Sequence, residues 1–395
     1  MENGNKPTAF SFQGTVRKCG GVIRTAWLIV GCTLLLLIAG EVAFTLYYKL
    51  TLAPQDFLYF RQTDSYQDAP WIKDYDKEMF SSYNSAWKSY VYWRRKPHQG
   101  KYINIDQQGI RFTSPSGLSD AEALKKLKIF MFGGSTMWGE GVRDPYTIPS
   151  LVSQDLSARK IKAEITNFGE VGYVNTQELL ELMLQLERGN IPDVAVFYDG
   201  FNDVYAALQN RAEGLPQNES NRELEYNLTK RYNTLRKVFL EKTVDRFYLG
   251  MALKSMVDKF RPPKSAPKQI EGLEKKVLNV YSNNIKIITA LGKAYGFVPI
   301  FYWQPVIYAK KELTPFEQKY RSEPIGKLYN KTYALLKANQ SAFANYHFHD
   351  ISNLFFETKG PVYLDYCHVN EEAHKIIARR MGQDIARAVG VDPSP

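Results

Sequence analysis

Cysteine is scarce in this 395-residue chain. Cys19, Cys32 and Cys367 give no disulfide framework: two lie in or before an apolar N-terminal segment and the third stands alone. Histidine is scarce too, at five residues, and no Cys/His cluster has the spacing of a zinc site, so no metal is expected. There are no internal repeats and no low-complexity tract. Neither of the common phosphate-cradling motifs is present, so no cofactor is expected. The glycine-rich stretch that follows the first strand-like run is Gly133-Gly134-Ser135-Thr136-Met137-Trp138-Gly139-Glu140-Gly141. A P-loop needs Lys then Ser/Thr after its second glycine, and Gly139 is followed by Glu140. A dinucleotide fingerprint needs a further glycine where Asp144 stands. The α/β-hydrolase elbow G-x-S-x-G needs glycine where Met137 stands. A nucleophilic serine of another class and a plain tight turn both survive.

What is present is size, apolar content and a basic balance. At 44% hydrophobic and 23% charged, the chain can bury a substantial core. The net charge of +10 suits an anionic membrane or an acidic polymer nearby, and equally ordinary solubility; no nucleic-acid partner is expected. Residues 1–25 are polar and basic. Ala26 to Tyr48 is apolar apart from Glu41, and its 23 residues are enough to cross a bilayer about 30 Å thick as a helix. Trp27 and Tyr47-Tyr48 suit the two interfaces. The basic flank predicts an inner (plasma) membrane anchor with a cytoplasmic N-terminus and an extracytoplasmic, periplasmic remainder. A cleaved signal fits less well because apolar residues resume after Glu41. Cys32 reads as a small residue within the span, not a lipoprotein cysteine.

Residues 49–126 form an aromatic-rich extension, from Tyr59 to Trp93, with a hairpin predicted at Tyr102 to Thr113 about Gln108-Gly109. The aromatics read as packing against the main domain, with glycan binding as the alternative. From 127 to 390 short apolar runs alternate with helical periods. Strands are predicted at Lys128–Phe132, Ala163–Phe168, Asp193–Tyr198, Phe297–Trp303 and Tyr346–Ile351. Helices are predicted from Thr147, from Asn175 with a capping box to Glu178, over Leu273–Leu291 and from Glu371. This alternation predicts an α/β domain with a parallel sheet covered on both faces. An insertion at about 204–268 is basic: residues 221–268 hold 12 Lys/Arg and 5 Asp/Glu. It reads as solvated helices, or as a lid or membrane-facing cap.

In a parallel sheet the segments after each strand share one edge. That edge would gather Ser135, Gly172, Asn202 and the segment Asp365-Tyr366-Cys367-His368. Asp365 and His368, three apart, can lie on one side of a turn. A carboxylate beside a histidine fixes its tautomer, and the other ring nitrogen can then take the proton of a serine. The N–H groups of Ser135 and Gly172 and the amide of Asn202 are available to an oxyanion. Asp203 reads as a brace for the Asn202 turn, Cys367 as packing, His347 and His349 as a polar sheet face, and His374 as a surface residue.

Gly133-Gly134-Ser135-Thr136, Asn167 with Gly172, Gly200-Phe201-Asn202-Asp203 and Asp365-x-x-His368 together resemble the four blocks of the SGNH/GDSL hydrolase family, in order. The resemblance covers about 127–390. It implies a three-layer α/β/α flavodoxin-like sandwich, a Ser135–His368–Asp365 triad and an oxyanion hole of Ser135, Gly172 and Asn202. Gly134 departs from the family's GDS signature, which has aspartate there. The hairpin looks like the lead-in of membrane-anchored bacterial members from surface-polysaccharide systems. The expected function is therefore a serine esterase acting on an O-acyl, chiefly acetyl, ester of a cell-surface glycan or a lipid. Two alternatives stand beside it: an O-acyltransferase for an exported polysaccharide with a membrane acyltransferase partner, and a non-catalytic glycan-binding or scaffold protein.

Overall fold

The structure, a computed structural model, describes residues 12–51, 60–227, 271–321 and 323–391, with positions 247, 250 and 256. It divides into two compact units, one of residues 1–56 and 228–266 and one of the remainder. In the first, helix α1 (Phe12–Thr51) contains the 24-residue stretch Arg24–Tyr47, long and apolar enough to cross a membrane. Its large apolar side chains, such as Leu35 and Leu36, are exposed. Most of the basic insertion, 228–270, lies outside the described residues.

The second unit opens with α2 (Ile72–Ser82) and two small antiparallel pairs. These are β1 (Ser85–Lys88) with β2 (Tyr92–Arg95), and β3 (His98–Gln99) with β4 (Asn104–Ile105). The hairpin after β4 is minimal: Asp106 and Ile110 close its turn and Ile105 bridges to Arg111. Five parallel strands then form the main sheet: β5 (Lys125–Gly133), β6 (Ile161–Asn167), β7 (Val194–Asp199), β8 (Val298–Trp303) and β9 (His347–Asp350). Their order is β6-β5-β7-β8-β9. Every β5 residue from Ile129 to Gly133 is buried, which a strand achieves only with both faces covered. One face carries an aromatic ladder. Phe132 stacks on Phe197 at 4.8 Å and Phe197 on Phe301 at 5.5 Å, residues paired in register across β5, β7 and β8.

The covering helices form two groups. α4 (Ile148–Ala158) packs on the C-terminal helix Glu371–Ala388, while α5 (Asn175–Glu187) and Glu323–Ala338 both pack on Leu273–Tyr295. Their starts follow local chemistry. Thr147 Oγ1 accepts from Ser150 N–H at 3.3 Å, and Asn370 Oδ1 accepts from Ala373 N–H at 2.9 Å. The capping of α5 differs from the predicted box. Val174 is the cap residue, its N–H bonds the Gln177 carboxamide, and Asn175 turns inward to donate to Asp199 Oδ2 at 2.8 Å.

The aromatics of the extension largely pack. Phe60, Tyr66, Tyr75 and Tyr102 build a second apolar cluster around Trp138 and Leu364, whereas Trp87 and Tyr90 remain exposed.

Candidate active site

β5 ends at Gly133, and the chain turns at once into the one-turn helix α3 (Ser135–Trp138). The two glycines do not serve an unusual backbone conformation here. Gly134 sits at φ −78°, ψ −154°, which any residue adopts. The requirement is space: a Cβ on Gly134 would lie 2.1 Å from Asn202 Nδ2. Asn202 lies in the first turn of α6 (Phe201–Asn210), after β7, and its amide donates to Tyr173 O at 2.8 Å. Gly172, at φ +78°, immediately precedes that tyrosine.

The fifth strand leads to the Tyr363–Val369 bridge, which closes a tight turn. Within it Asp365 Oδ1 accepts the N–H groups of Cys367 and His368, both at 2.9 Å. Oδ2 lies 2.6 Å from His368 Nδ1, and His368 Nε2 lies 2.6 Å from Ser135 Oγ. Three side chains from opposite ends of the domain thus form one hydrogen-bonded row, with Ser135 and His368 6% and 9% exposed. Asn202 is brought against the backbone that carries Ser135. Among the described residues, the N–H groups of Ser135 and Gly172 have no protein acceptor.

Burial alone would raise the Asp365 carboxyl, but the imidazole and two backbone N–H groups outweigh it and hold the group below its usual range. Burial works against a charged His368, yet the surrounding negative groups, Asp365 foremost, push its pKa well up. Cys367 is buried, its Sγ 4.0 Å from His368 Nδ1, and burial pushes its thiol up to about 11. Asp365, Cys367 and His368 place possible ligand atoms within 4.8 Å of one another. However, Asp365 is engaged by Nδ1 and two N–H donors, and the protonated thiol is a poor ligand.

Asp203 Oδ1 accepts the Asn175 N–H at 3.1 Å, and burial raises its carboxyl to about 6. It shares a buried acidic cluster with Asp199 and Glu178, both raised well above their ordinary values by burial and then by neighbouring carboxyls. His349 does not simply face solvent: its ring stacks on Tyr302 at 5.1 Å, with Nδ1 3.6 Å from Asp384 Oδ2.

The expectation that His374 lies at the surface is overturned. It is buried against the segment before α4, with Nδ1 3.0 Å from Tyr146 O, and burial pushes its pKa down to about 3. The unfolded chain therefore takes up a proton near pH 6.5 that the folded chain refuses until about pH 3. This contribution to stability is complete above pH 6.5 and is lost as pH falls through that window. His374→Asn is expected to remove a slope of about 1.4 kcal/mol per pH unit. Urea unfolding of both proteins at pH 7 and pH 5 measures it; an unchanged difference between the two pH values would show that His374 is not held neutral.

Sequence reasoning missed three residues that build the site. Arg111, buried in the second arm of the hairpin, pairs with Asp144 at 2.9 Å. It also donates to the carbonyls of Trp138, Gly139 and Val142, clamping the turn that follows Ser135. Glu140 lies over His368, with Oε2 3.8 Å from Nε2. A lone arginine and a glutamate between glycines give no periodic signal. The only hint was that each interrupts an otherwise apolar or turn-forming stretch.

No family model matches the sequence, and none of the curated proteins does. Solved structures resemble it. A catalytic mutant of Axe2, an acetylxylan esterase from Geobacillus stearothermophilus, is 14% identical; the match covers 68% of this chain and 97% of that one, with a TM-score of 0.37. A putative lipolytic protein of the G-D-S-L family from Desulfitobacterium hafniense DCB-2 is 10% identical over 66% of this chain and 98% of its own, with a TM-score of 0.34. A G-D-S-L family member from Veillonella parvula DSM 2008 is 14% identical over 64% and 93%, with a TM-score of 0.36.

Proposed function

We propose that the chain is a serine esterase that removes an O-acyl group, acetyl in the simplest case, from a surface glycan or a lipid. The observation that supports this most directly is the row Asp365–His368–Ser135, with both links at 2.6 Å. In this reading His368 Nε2 takes the Ser135 proton as Oγ attacks the ester carbonyl, while Asp365 holds the ring and its Nδ1–H. The oxyanion is received by the N–H groups of Ser135 and Gly172 and the second amide proton of Asn202. The imidazolium then protonates the leaving alcohol. Water, activated by the same nitrogen, releases the acid and restores the serine. The apolar span of α1 would anchor the enzyme in the inner membrane, with its N-terminus cytoplasmic and the site outside.

Labelling the detergent-solubilised full-length chain with a fluorophosphonate tests the reading. One adduct is expected, mapped by mass spectrometry to Ser135, together with turnover of a chromogenic acetate ester. A chain that neither labels nor turns over is not an esterase. Acyl transfer to an added glycan in excess of release to water would assign the same acyl-enzyme to a transferase.

A further inference from the structure

Glu140 has no part in the reaction as described above. It lies in the turn that closes α3, where Gly139 at φ +98° and Gly141 at φ +88° both take the left-handed conformation that favours glycine. The Glu140 N–H donates to Ser135 O at 3.0 Å, so the chain doubles back on the nucleophile. This returns the carboxyl to the site. Oε2 is buried, has no hydrogen-bond partner among the described residues, and lies 3.8 Å from His368 Nε2. The imidazole therefore stands between two carboxyl groups, Asp365 at Nδ1 and Glu140 on the Nε2 side.

We propose that Glu140 is a positioning residue for proton transfer, its carboxylate stabilising the His368 imidazolium formed as Ser135 gives up its proton. The inference rests on the serine-esterase reading. Its physical basis is that a fixed anion beside a charge that appears only during the reaction favours the transition state over the resting state. Every facing group can be named. His368 is faced by Asp365 and Cys367 of its own turn, by Ser135 and Glu140, and more distantly by Tyr83 and His374. Glu140 is faced by His368, Asp365 and Cys367, by Arg95 and Arg111, and by Tyr75 and Tyr83. Burial, helped by Asp365, pushes the Glu140 carboxyl above its usual range, while His368 and the two arginines pull it back toward the ionised form.

The same attraction has a second effect of opposite sign. It also stabilises a protonated His368 at rest, which cannot act as a base. Removing the charge should therefore slow the plateau rate while extending activity to lower pH. Glu140→Gln is expected to lower plateau kcat/KM about ten-fold and to move its acid limb down by about one pH unit. Glu140→Asp keeps the charge and should leave the limb near that of the unmutated chain. A packing role alone would lower the plateau and leave the limb in place.

A readout independent of turnover is the nitrogen-15 NMR titration of the His368 ring in the full-length chain, assigned with His368→Gln. The ring should titrate about one unit lower in Glu140→Gln than in the unmutated protein. Turnover with an unmoved ring titration in folded Glu140→Gln overturns this inference alone. Absence of turnover in the unmutated chain overturns the esterase reading and this inference with it.

Discussion

Ser135→Ala in the full-length chain is expected to lower kcat/KM for a chromogenic acetate ester on the order of 10⁴- to 10⁶-fold. The size follows from the lack of a substitute. Cys367 is a nearby thiol, but its Sγ lies toward Nδ1, the nitrogen already engaged by Asp365, and burial pushes the thiol up to about 11. Neither its position nor its protonation state lets it replace the hydroxyl. The substitution should also leave the fold alone. Ser135 Oγ bonds to His368 Nε2, and the ring stays fixed by Asp365 without it. Initial rates and a urea midpoint on the same preparation check both halves. More than about one per cent residual turnover would remove Ser135 from the mechanism.

Gly134→Asp should cost activity on the order of 10²- to 10³-fold, although it restores the residue that the GDS signature has at this place. The reason is local. A β-carbon there would stand 2.1 Å from Asn202 Nδ2 and 3.2 Å from its Cγ. The Asn202 amide is tied to Tyr173 O at 2.8 Å, so it cannot yield without breaking that bond. In the proposed mechanism the aspartate would displace the Asn202 amide from the oxyanion and bring a negative charge toward the place where one develops. Gly134→Ala should lose a similar amount, because the collision is made by the first side-chain atom. Since the backbone at this position is open to any residue, no loss from conformational strain is expected. The Gly134→Ala/Asn202→Ala double variant should be no worse than either single change, as residues acting through one contact are not additive. Full activity in Gly134→Asp would place Asn202 outside the oxyanion site.

Strand identity was legible because buried parallel strands are short apolar runs cut by turn residues. All five appear within two residues of their predicted ends at most boundaries, β5 starting earlier at Lys125. Their lateral order was not legible, since neighbours in the sheet are chosen by crossovers and not by any one segment. The five residues of the expected site came from placing each strand end on one edge; the structure joins Ser135, His368 and Asp365 by hydrogen bonds and brings Asn202 against Gly134. His374 was misread although the signal existed: it shares a helix face with Ile377, Ala378, Met381 and Ile385, all buried. The cap of α5 was misplaced by one residue because Asn175 is a good cap by type but is drawn inward by Asp199. Glu140 could not be read at all. Its position depends on two consecutive reversals at Gly139 and Gly141, and a sequence shows that glycines permit such turns but not which way they send a side chain. The same holds for Arg111, whose partners are three backbone carbonyls and Asp144, 33 positions away, a set that no local pattern marks.

The order β6-β5-β7-β8-β9 means that the chain winds outward from β5 in one direction, then crosses back and winds in the other. The connections leaving β5 and β7 therefore part company, and a furrow opens between the carboxyl ends of these two neighbouring strands. Ser135 follows the first and Asn202 follows the second. The place of that furrow follows from the winding and not from the side chains that line it. The scaffold and the reactivity are thus separable: the lining can be exchanged, residue by residue, without asking the sheet to be anything else.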